Sequence, residues 1–131
     1  MKVEKQLAIF LANKPGTLAE VCKVLAREQV NIQAITVSDT MDHAVVRMVV
    51  SDAIKALHLL GDAGVLVIEN DVLTIELPNK PGALAKVAEK LAAAKVNIEY
   101  LYGSGGRGRQ KGVAVIRAGN PKRAMKVLKR L

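Results

Sequence analysis

The amino-acid sequence predicts an α+β fold made of two copies of one βαββαβ unit. The main observation is an internal repeat: residues 13–35, NKPGTLAEVCKVLAREQVNIQAI, match residues 79–101, NKPGALAKVAEKLAAAKVNIEYL, at 12 of 23 positions. The same apolar alternation precedes both copies, and the same helical spacing of apolar residues follows both turns. Because self-similarity at a fixed period indicates structurally equivalent units, we place one domain at residues 1–70 and a second at residues 71–131.

Each unit begins with a strand that a tight turn ends. Residues 7–11 and residues 73–77 share the pattern Leu-x-Ile-x-Leu, which has the two-residue period of a half-buried strand. Asn-Lys-Pro-Gly follows in both copies. Because proline fixes φ and glycine permits positive φ, this tetrapeptide is expected to break the strand.

A helix is predicted after each turn, with apolar residues at i, i+3, i+4 and i+7. The stripe consists of Leu18, Val21, Cys22 and Leu25 in the first unit and of Leu84, Val87, Ala88 and Leu91 in the second. Thr17 and Glu20 have the spacing of a capping box. The second copy has Ala83 and Lys86 there and lacks that signal.

Two further strands are predicted in each unit. The second strand begins at a Val-Asn-Ile sequence, at residues 30–32 and again at residues 96–98. The third strand covers residues 44–50 in the first unit and residues 113–117 in the second, where β-branched residues dominate.

A second helix and a fourth strand complete the first unit. The helix is expected to begin after Asp52, and its counterpart after Asn120 with Pro121 in the first helical position. Residues 65–68 form the fourth strand, which gives ferredoxin-like units with antiparallel sheets and helices on one face. The second unit ends at Leu131 without a fourth strand. An open sheet edge invites pairing unless another segment covers it, so we expect a homodimer or a higher homo-oligomer.

Composition indicates a compact, cytoplasmic protein with no membrane contact. Hydrophobic residues make up 50% of the chain, but no apolar run approaches the ~18 residues that span a bilayer. The first residues, Met-Lys-Val-Glu-Lys-Gln, lack the apolar segment of a signal peptide. Cys22 is the only cysteine, which excludes an internal disulfide and a multi-cysteine metal site.

The net charge of +8 lies in the second half of the chain. Residues 1–70 carry 7 basic and 8 acidic side chains, whereas residues 71–131 carry 13 basic and 4 acidic ones, a balance of +9. No acidic residue follows Glu99. This field would attract nucleic acid or an acidic partner, or it is a solvated basic face that maintains solubility.

Catalysis and cofactor binding have little support. His43 and His58 fall on different elements, and neither forms a catalytic or metal-binding pattern with neighbours in the sequence. Cys22 falls on the apolar helix stripe and is interpreted as a core residue. The Gly- and Arg-rich residues 103–112 lack a P-loop pattern and are interpreted as a hairpin turn. We therefore expect no enzyme activity, no cofactor and no metal.

The Asn-Lys-Pro-Gly turns are the candidate binding elements. Each places a glycine at the start of a helix, where free N–H groups and the helix dipole favour a carboxylate or a phosphate. Asn13 and Asn79 add amide groups, and Asn31 and Asn97 follow 18 residues later. Two amides that flank one helix N-terminus would hold an amino acid. Alternatively, the tetrapeptide is only a turn and the later asparagines only begin strands.

These residues resemble the signature of ACT domains, small modules that bind amino acids and regulate metabolic enzymes. The pattern of a strand, Asn-Lys-Pro-Gly-x-Leu-Ala, a helix and Val-Asn-Ile occurs twice and covers nearly the whole chain. The resemblance implies an allosteric regulatory protein, not an enzyme, that binds an amino acid at ACT–ACT interfaces and acts on a metabolic enzyme. It implies ligand-binding positions at Asn13, Lys14, Pro15, Gly16, Thr17, Leu18, Asn31, Ile32, Asn79, Lys80, Pro81, Gly82, Ala83, Leu84, Asn97 and Ile98.

One departure from the pattern affects the expected ligand. ACT domains of phosphoglycerate dehydrogenases that bind serine have a His two residues before the turn Asn, whereas Leu11 and Leu77 stand here. This difference favours a more apolar effector.

Two alternative functions remain open from the sequence. RNA-recognition domains share the βαββαβ order, but they stack bases on aromatic residues of the central strands. Here Tyr100 and Tyr102 lie on one strand and the next has no aromatic residue, so nucleic-acid binding is the weaker reading. The basic C-terminal half would alternatively hold RNA or an acidic partner through Arg107, Arg109 and Lys111. A pure assembly module without a ligand is the other alternative.

Overall fold

The computed structural model describes residues 1–105 and 107–129. Gly106, within the predicted hairpin turn, and Arg130 and Leu131, at the predicted end of the second domain, lie outside the described residues. The chain divides into two compact units, one formed by Lys5–Asn70 and the other by Met1–Glu4 together with the chain from Asp71 onward. The six antiparallel strands and four helices confirm the predicted α+β fold.

The unit Lys5–Asn70 has the predicted βαββαβ order of elements, and its first three strands lie in the order β2-β3-β1. Its elements are β1 (Lys2–Ala12), α1 (Thr17–Arg27), β2 (Ile32–Asp39), β3 (His43–Val50), α2 (Ala53–Asp62) and the beginning of β4 (Leu66–Pro78). Both pairings are antiparallel: Ala12 lies opposite His43 at one end of β3, and Ile32 lies opposite Val50 at the other end.

The second unit repeats this arrangement in the order β4-β6-β5. It contains the remainder of β4, α3 (Ala83–Ala93), β5 (Ile98–Ser104), β6 (Lys111–Ala118) and α4 (Pro121–Leu128). Pro78 lies opposite Lys111 at one end of β6, and Ile98 lies opposite Ala118 at the other end. The registers of the two units are therefore equivalent.

The first residues of the chain belong to the second unit. Val3 packs against the apolar core of that unit. The Thr74 hydroxyl on β4 donates to the carbonyl oxygen of Lys2 at 3.5 Å and to the Glu4 carboxylate. Within the described residues no strand follows α4, and Met1–Glu4, at the start of β1, lies beside β4, along the sheet edge that was expected to be open.

The predicted separation of two strands near residue 70 is wrong. Residues 65–68 and 73–77 were expected to form different strands, but Leu66–Pro78 is one strand of 13 residues. The sequence between them, Glu69-Asn70-Asp71, contains neither glycine nor proline. Because nothing there requires a break in the backbone, extended structure continues until Pro78.

Each unit has its own apolar core between the helices and the sheet. The fully buried residues at its centre are Leu7, Ile9, Leu25, Met48 and Leu60 in one unit and Leu73, Val87, Leu91, Ile116 and Ala124 in the other. Burial of a Leu, Ile or Val side chain of this kind contributes about 1.5–3 kcal/mol. The helix stripes are narrower than predicted, because Cys22 is only half-buried, Ala88 is exposed and Leu84 is 46% exposed.

The N-termini of α1 and α3 are formed by glycine. Gly16 and Gly82 are the N-cap residues, with φ of 93° and 88°, and neither helix has a side-chain cap. The predicted capping box is therefore wrong. Thr17 lies inside the helix, and its hydroxyl donates backward to the carbonyl oxygens of Ala12 at 2.9 Å and Lys14 at 3.1 Å.

The predicted caps of the other two helices are confirmed. The Asp52 carboxylate accepts from the Lys55 N–H, and the Asn120 amide oxygen accepts from the Arg123 N–H, both at 3.1 Å. Pro121 occupies the first helical position, as predicted. None of the described helices is long and apolar enough to cross a membrane.

Candidate functional site

The first Asn-Lys-Pro-Gly loop, residues 13–16, is tied to the hairpin between β2 and β3. The Asn13 backbone N–H donates to the carbonyl oxygen of Asp42 at 3.1 Å. Its side-chain Nδ2 donates to the carbonyl oxygen of Thr40 at 3.4 Å. The loop and the tip of the hairpin therefore form one connected surface at this end of the sheet.

The second loop, residues 79–82, repeats these contacts in its own unit. The Asn79 backbone N–H donates to the carbonyl oxygen of Gln110 at 2.8 Å, and its Nδ2 donates to that of Arg109 at 2.9 Å. In both copies, therefore, the donor end of the turn asparagine positions the loop against the following hairpin. This use was not evident from the sequence, because the hairpin partners lie 27 and 30 residues away.

The helix N-termini present backbone N–H groups beside each loop. The first intrahelical bonds run from the Glu20 N–H to Gly16 and from the Lys86 N–H to Gly82, both at 3.1 Å. The N–H groups that precede them have no intrahelical partner, as at every helix start. In the second copy, Ala83 already donates to the carbonyl oxygen of Lys80 at 3.3 Å. With no side-chain cap, both sites can accept an anionic group along the helix dipole.

Two clefts adjoin the second loop. The larger, about 590 Å³, is lined by the end of β4, residues 80–83, Lys86 and Leu128. The smaller, about 290 Å³, lies between the loop and the β5–β6 hairpin. Its lining includes Asn79 and four aliphatic side chains, Leu77, Leu84, Leu101 and Val113. Leu77, two residues before the turn asparagine, lines both clefts with an aliphatic side chain.

The Val-Asn-Ile asparagines lie at the other end of each sheet. The Asn31 N–H donates to Ser51 Oγ, and the Ser51 N–H donates to the Asn31 carbonyl oxygen, both at 2.9 Å. Asn97 borders a cleft of about 330 Å³ with Lys95, Glu99, Asn120 and Arg123. Ile32 and Ile98, which follow the two asparagines, pack against the two cores.

Within one unit, the two asparagines of each copy do not form one site. Asn79 follows Pro78, which is opposite Lys111, whereas Asn97 precedes Ile98, which is opposite Ala118. These positions differ by seven residues along β6, or about 23 Å at ~3.3 Å per residue. The same separation holds for Asn13 and Asn31 along β3. The spacing of 18 residues could not show this, because the helix between them carries the chain back along the sheet.

Several of the basic residues have structural partners. Arg117 donates to the carbonyl oxygen of Asp71 at 2.6 Å and lies 3.4 Å from the Glu99 carboxylate. Arg123 Nη2 donates to the carbonyl oxygen of Ala94, at the end of α3, at 2.6 Å. Lys55 makes the equivalent contact with the carbonyl oxygen of Glu28 at 2.9 Å. A cation at this position complements the C-terminal dipole of the preceding helix in both units.

The imidazole of His43 pairs with the adjacent carboxylate of Asp42. His43 Nδ1 lies 3.0 Å from the Asp42 carboxylate, and that hydrogen bond together with the charge interaction lowers the pKa of Asp42. Both side chains are exposed. Within residues 1–105 and 107–129, no three His, Cys, Asp or Glu side chains come together in a metal-binding arrangement.

Two units of this topology, each with a strand, an Asn-Lys-Pro-Gly turn and a helix, define an ACT domain protein. The chain belongs to the ACT domain pair family, whose model matches residues 1–130. The resemblance stated from the sequence is thereby confirmed. A comparison with curated proteins finds no match.

Solved structures with the same fold are known. A protein from Bacteroides thetaiotaomicron is 43% identical, with a TM-score of 0.91 over 98% of this chain and 88% of that chain. The ligand-free regulatory subunit of aspartate kinase from Thermus thermophilus superposes with a TM-score of 0.72 at 18% identity, over 99% and 97% of the two chains. The corresponding subunit from Thermus flavus has a TM-score of 0.66 at 19% identity, over 98% and 94%.

Proposed function

We propose that this protein is a non-catalytic regulator that binds an aliphatic amino acid beside the second Asn-Lys-Pro-Gly loop. Occupancy changes its contacts with a second copy or with a metabolic enzyme. The observation that carries the proposal is the smaller cleft, where a helix N-terminus, an amide and four aliphatic side chains converge. Membership of the ACT domain pair family supports a regulatory role, and the regulatory subunits that share the fold are consistent with it.

The two ends of an amino acid have different partners in this cleft. The α-carboxylate would meet the N-terminus of α3 at Leu84, which lines the cleft and whose N–H precedes the first intrahelical bond. The aliphatic side chain would lie against Leu77, Leu101 and Val113. The first loop, with Asn13, Lys14, Pro15, Gly16, Thr17 and Leu18, supplies an equivalent helix N-terminus and is the natural internal control.

A site beside the second loop that also uses Asn97 needs a second copy of the chain. Asn79 and Asn97 of one unit are too far apart for one amino acid to contact both. If the Asn97 amide contacts the effector, it comes from another protomer, and binding then couples directly to association. Only a ligand that binds one arrangement more tightly than another shifts the population between them. We therefore propose a cytoplasmic homodimer as the functional form.

Calorimetric titration of the full chain with each of the twenty amino acids tests the proposal, with sedimentation of the free and saturated protein. An aliphatic amino acid should bind, and at 100 times its Kd it should raise the free energy of unfolding by about 2.7 kcal/mol. Leu101→Asp should abolish this binding, whereas Ile35→Asp, at the equivalent repeat position of the first unit, should leave it unchanged. Binding that survives Leu101→Asp would disprove the site.

A second candidate function, a pure assembly module, is favoured by one observation. The Nδ2 donors of Asn13 and Asn79 are both used to hold hairpins, as expected for loops that serve only the fold. This alternative predicts that none of the twenty amino acids changes stability or oligomeric state. A single saturable titration would reject it.

A further inference from the structure

A groove runs between α3 and α4 on the helical face of the second unit. Its volume is about 490 Å³, and it shares no lining residue with the two clefts beside the second loop. Its lining is divided by chemistry: Lys90, Arg123 and Lys126 supply the charge, and Ala93, Ala94 and Val127 supply the apolar part.

The charge of this surface exceeds that of the equivalent surface in the first unit. Helices α3 and α4 carry five Lys or Arg side chains and one acid, Glu89. Helices α1 and α2 carry three basic and two acidic side chains. At the repeat positions of Lys90 and Lys126 the first unit has Val24 and His58. The positive field is therefore a property of the second copy and not of the fold.

Only one of the three cations, Arg123, has a hydrogen-bond partner among the described residues. Arg123 donates to the end of α3, and Lys55 makes the same contact in the first unit. Across residues 1–105 and 107–129, neither Lys90 nor Lys126 is within ion-pair distance of a carboxylate. Each also lies four residues after another lysine, Lys86 or Lys122, a spacing at which like charges on a helix repel. Both lysines lie in the last turn of their helices, where a cation complements the helix dipole. Neither has a carboxylate partner among the described residues, so their ammonium groups are available to an external anion.

The apolar lining of the groove, Ala93, Ala94 and Val127, indicates whether its anionic partner is a nucleic acid or an acidic protein segment. No aromatic residue lines the groove, so it offers no platform on which nucleobases could stack. The small aliphatic residues and the neighbouring cations of the groove instead complement an amphipathic protein segment, which presents both apolar and acidic side chains. Such a segment binds by laying its apolar face into a groove between helices, while the charges determine encounter and orientation.

We propose that the α3–α4 groove docks an acidic, amphipathic segment of a partner protein. The lysine ammonium groups of Lys90 and Lys126 contact its carboxylates, and Ala93 and Val127 contact its apolar face. This surface is separate from the effector site, so the docking proposal does not depend on which amino acid, if any, binds at that site.

Fluorescence anisotropy of the full chain with labelled peptides tests the docking surface. The main probe is a synthetic helical peptide with Leu at i, i+3, i+4 and i+7 and Glu elsewhere. One comparison peptide has Ser in place of each Leu, and a single-stranded and a duplex RNA serve as nucleic-acid probes. The variant Lys90→Glu/Lys126→Glu removes the proposed contacts. Arg107→Glu/Arg109→Glu makes the same change of net charge on the β5–β6 hairpin and is the matched control.

The proposal expects the Leu/Glu peptide to bind, with an affinity that falls as salt is raised. Binding should weaken at least about tenfold in Lys90→Glu/Lys126→Glu and remain within about threefold in the hairpin control. The neutral variant Lys90→Ala/Lys126→Ala, checked by circular dichroism, should give an intermediate loss. Equal binding by both charge-reversal variants, tighter binding of either RNA, equal binding of the Ser peptide, or no peptide binding would each overturn it.

Discussion

The side-chain amide of Asn79 donates a hydrogen bond of 2.9 Å to the carbonyl oxygen of Arg109. Asn13 makes the corresponding bond to Thr40 in the other unit. The residue that marks the binding signature in the sequence is therefore also the residue that fixes the hairpin beside the cleft. Any effect of its substitution on ligand binding includes a structural part, which has to be measured separately.

Replacement of Asn79 by Ala removes this bond from an exposed loop. We expect a loss of about 0.5 to 1.5 kcal/mol in the free energy of unfolding, the usual range for such a hydrogen bond. Amide exchange should accelerate at position 79, whose backbone N–H donates to the carbonyl oxygen of Gln110. Urea unfolding and hydrogen-exchange NMR measure both effects. Asn13→Ala is the matched variant and should have the same effect at position 13, beside the β2–β3 hairpin. If Asn79→Ala accelerated exchange at the β2–β3 hairpin instead, the assigned hydrogen bond would be contradicted.

Replacement of Gly82 by Ala tests the backbone geometry of the second loop. Gly82 has φ of +88°, and an added Cβ would meet no atom within 4 Å. The cost is therefore conformational, about 1 to 2 kcal/mol for an L-residue in the left-handed region. Gly61, inside α2, has equally open space without positive φ. Gly61→Ala should instead stabilise by about 0.4 to 1 kcal/mol. Thermal unfolding that shows the same sign for both would reject this explanation.

Replacement of Lys95 by Gly should stabilise the protein. Lys95 has φ of 57° after the end of α3, where its N–H and that of Val96 donate to the carbonyl oxygens of Ala92 and Leu91. This Schellman arrangement favours glycine, and Gly64 occupies the same position after α2 with φ of 78°. We expect a gain of about 0.5 to 1 kcal/mol in denaturant unfolding. Lys95→Ala is the control, because it also removes the lysine charge but keeps a Cβ at positive φ. It should give no gain in stability.

The sequence predicted most of the fold because the repeat supplies each element twice. Strand alternation, the Asn-Lys-Pro-Gly breaks and the Asp52 and Asn120 caps are local signals, and the structure confirms them. The capping box was wrong because Gly16 itself occupies the N-cap position. The continuity of Leu66–Pro78 was missed because a short polar segment is compatible with either a turn or an extended strand.

The site was harder to predict because distances across the sheet are not encoded in the spacing. Asn79 and Asn97 are 18 residues apart in the chain, yet they lie at opposite ends of the sheet. The hairpin contact of Asn79 depends on a partner 30 residues away, in a segment that the repeat does not cover. The basic groove was indicated by the charge count, but its apolar floor became evident only when α3 and α4 were placed side by side.

The Asp42 carboxyl should titrate below its usual range. A hydrogen bond and a charge interaction from His43 lower its pKa. A lowered folded-state pKa contributes stability above the unfolded-state pKa, and this is lost as the pH falls through the folded-state value. Carboxyl NMR titration of the native protein and of His43→Ala checks the cause. The Asp42 pKa should rise in the variant. An unchanged titration midpoint would show that His43 does not cause the lowered pKa.

Replacement of Val3 by Asp tests whether the first residues complete the second unit. Val3 packs against the core that contains Leu73 and Ile116. A carboxylate there loses apolar burial worth about 1 to 2 kcal/mol and adds an unpaired charge. Hydrogen exchange should accelerate along β4 and β6, and sedimentation should show more self-association, because an uncovered strand edge recruits another chain. Lys2→Ala, on a side chain that is 70% exposed, removes only a surface ion pair with Glu4. It is the control and should change neither measurement. Exchange that accelerates only in the unit Lys5–Asn70 would show that Val3 does not belong to the second core.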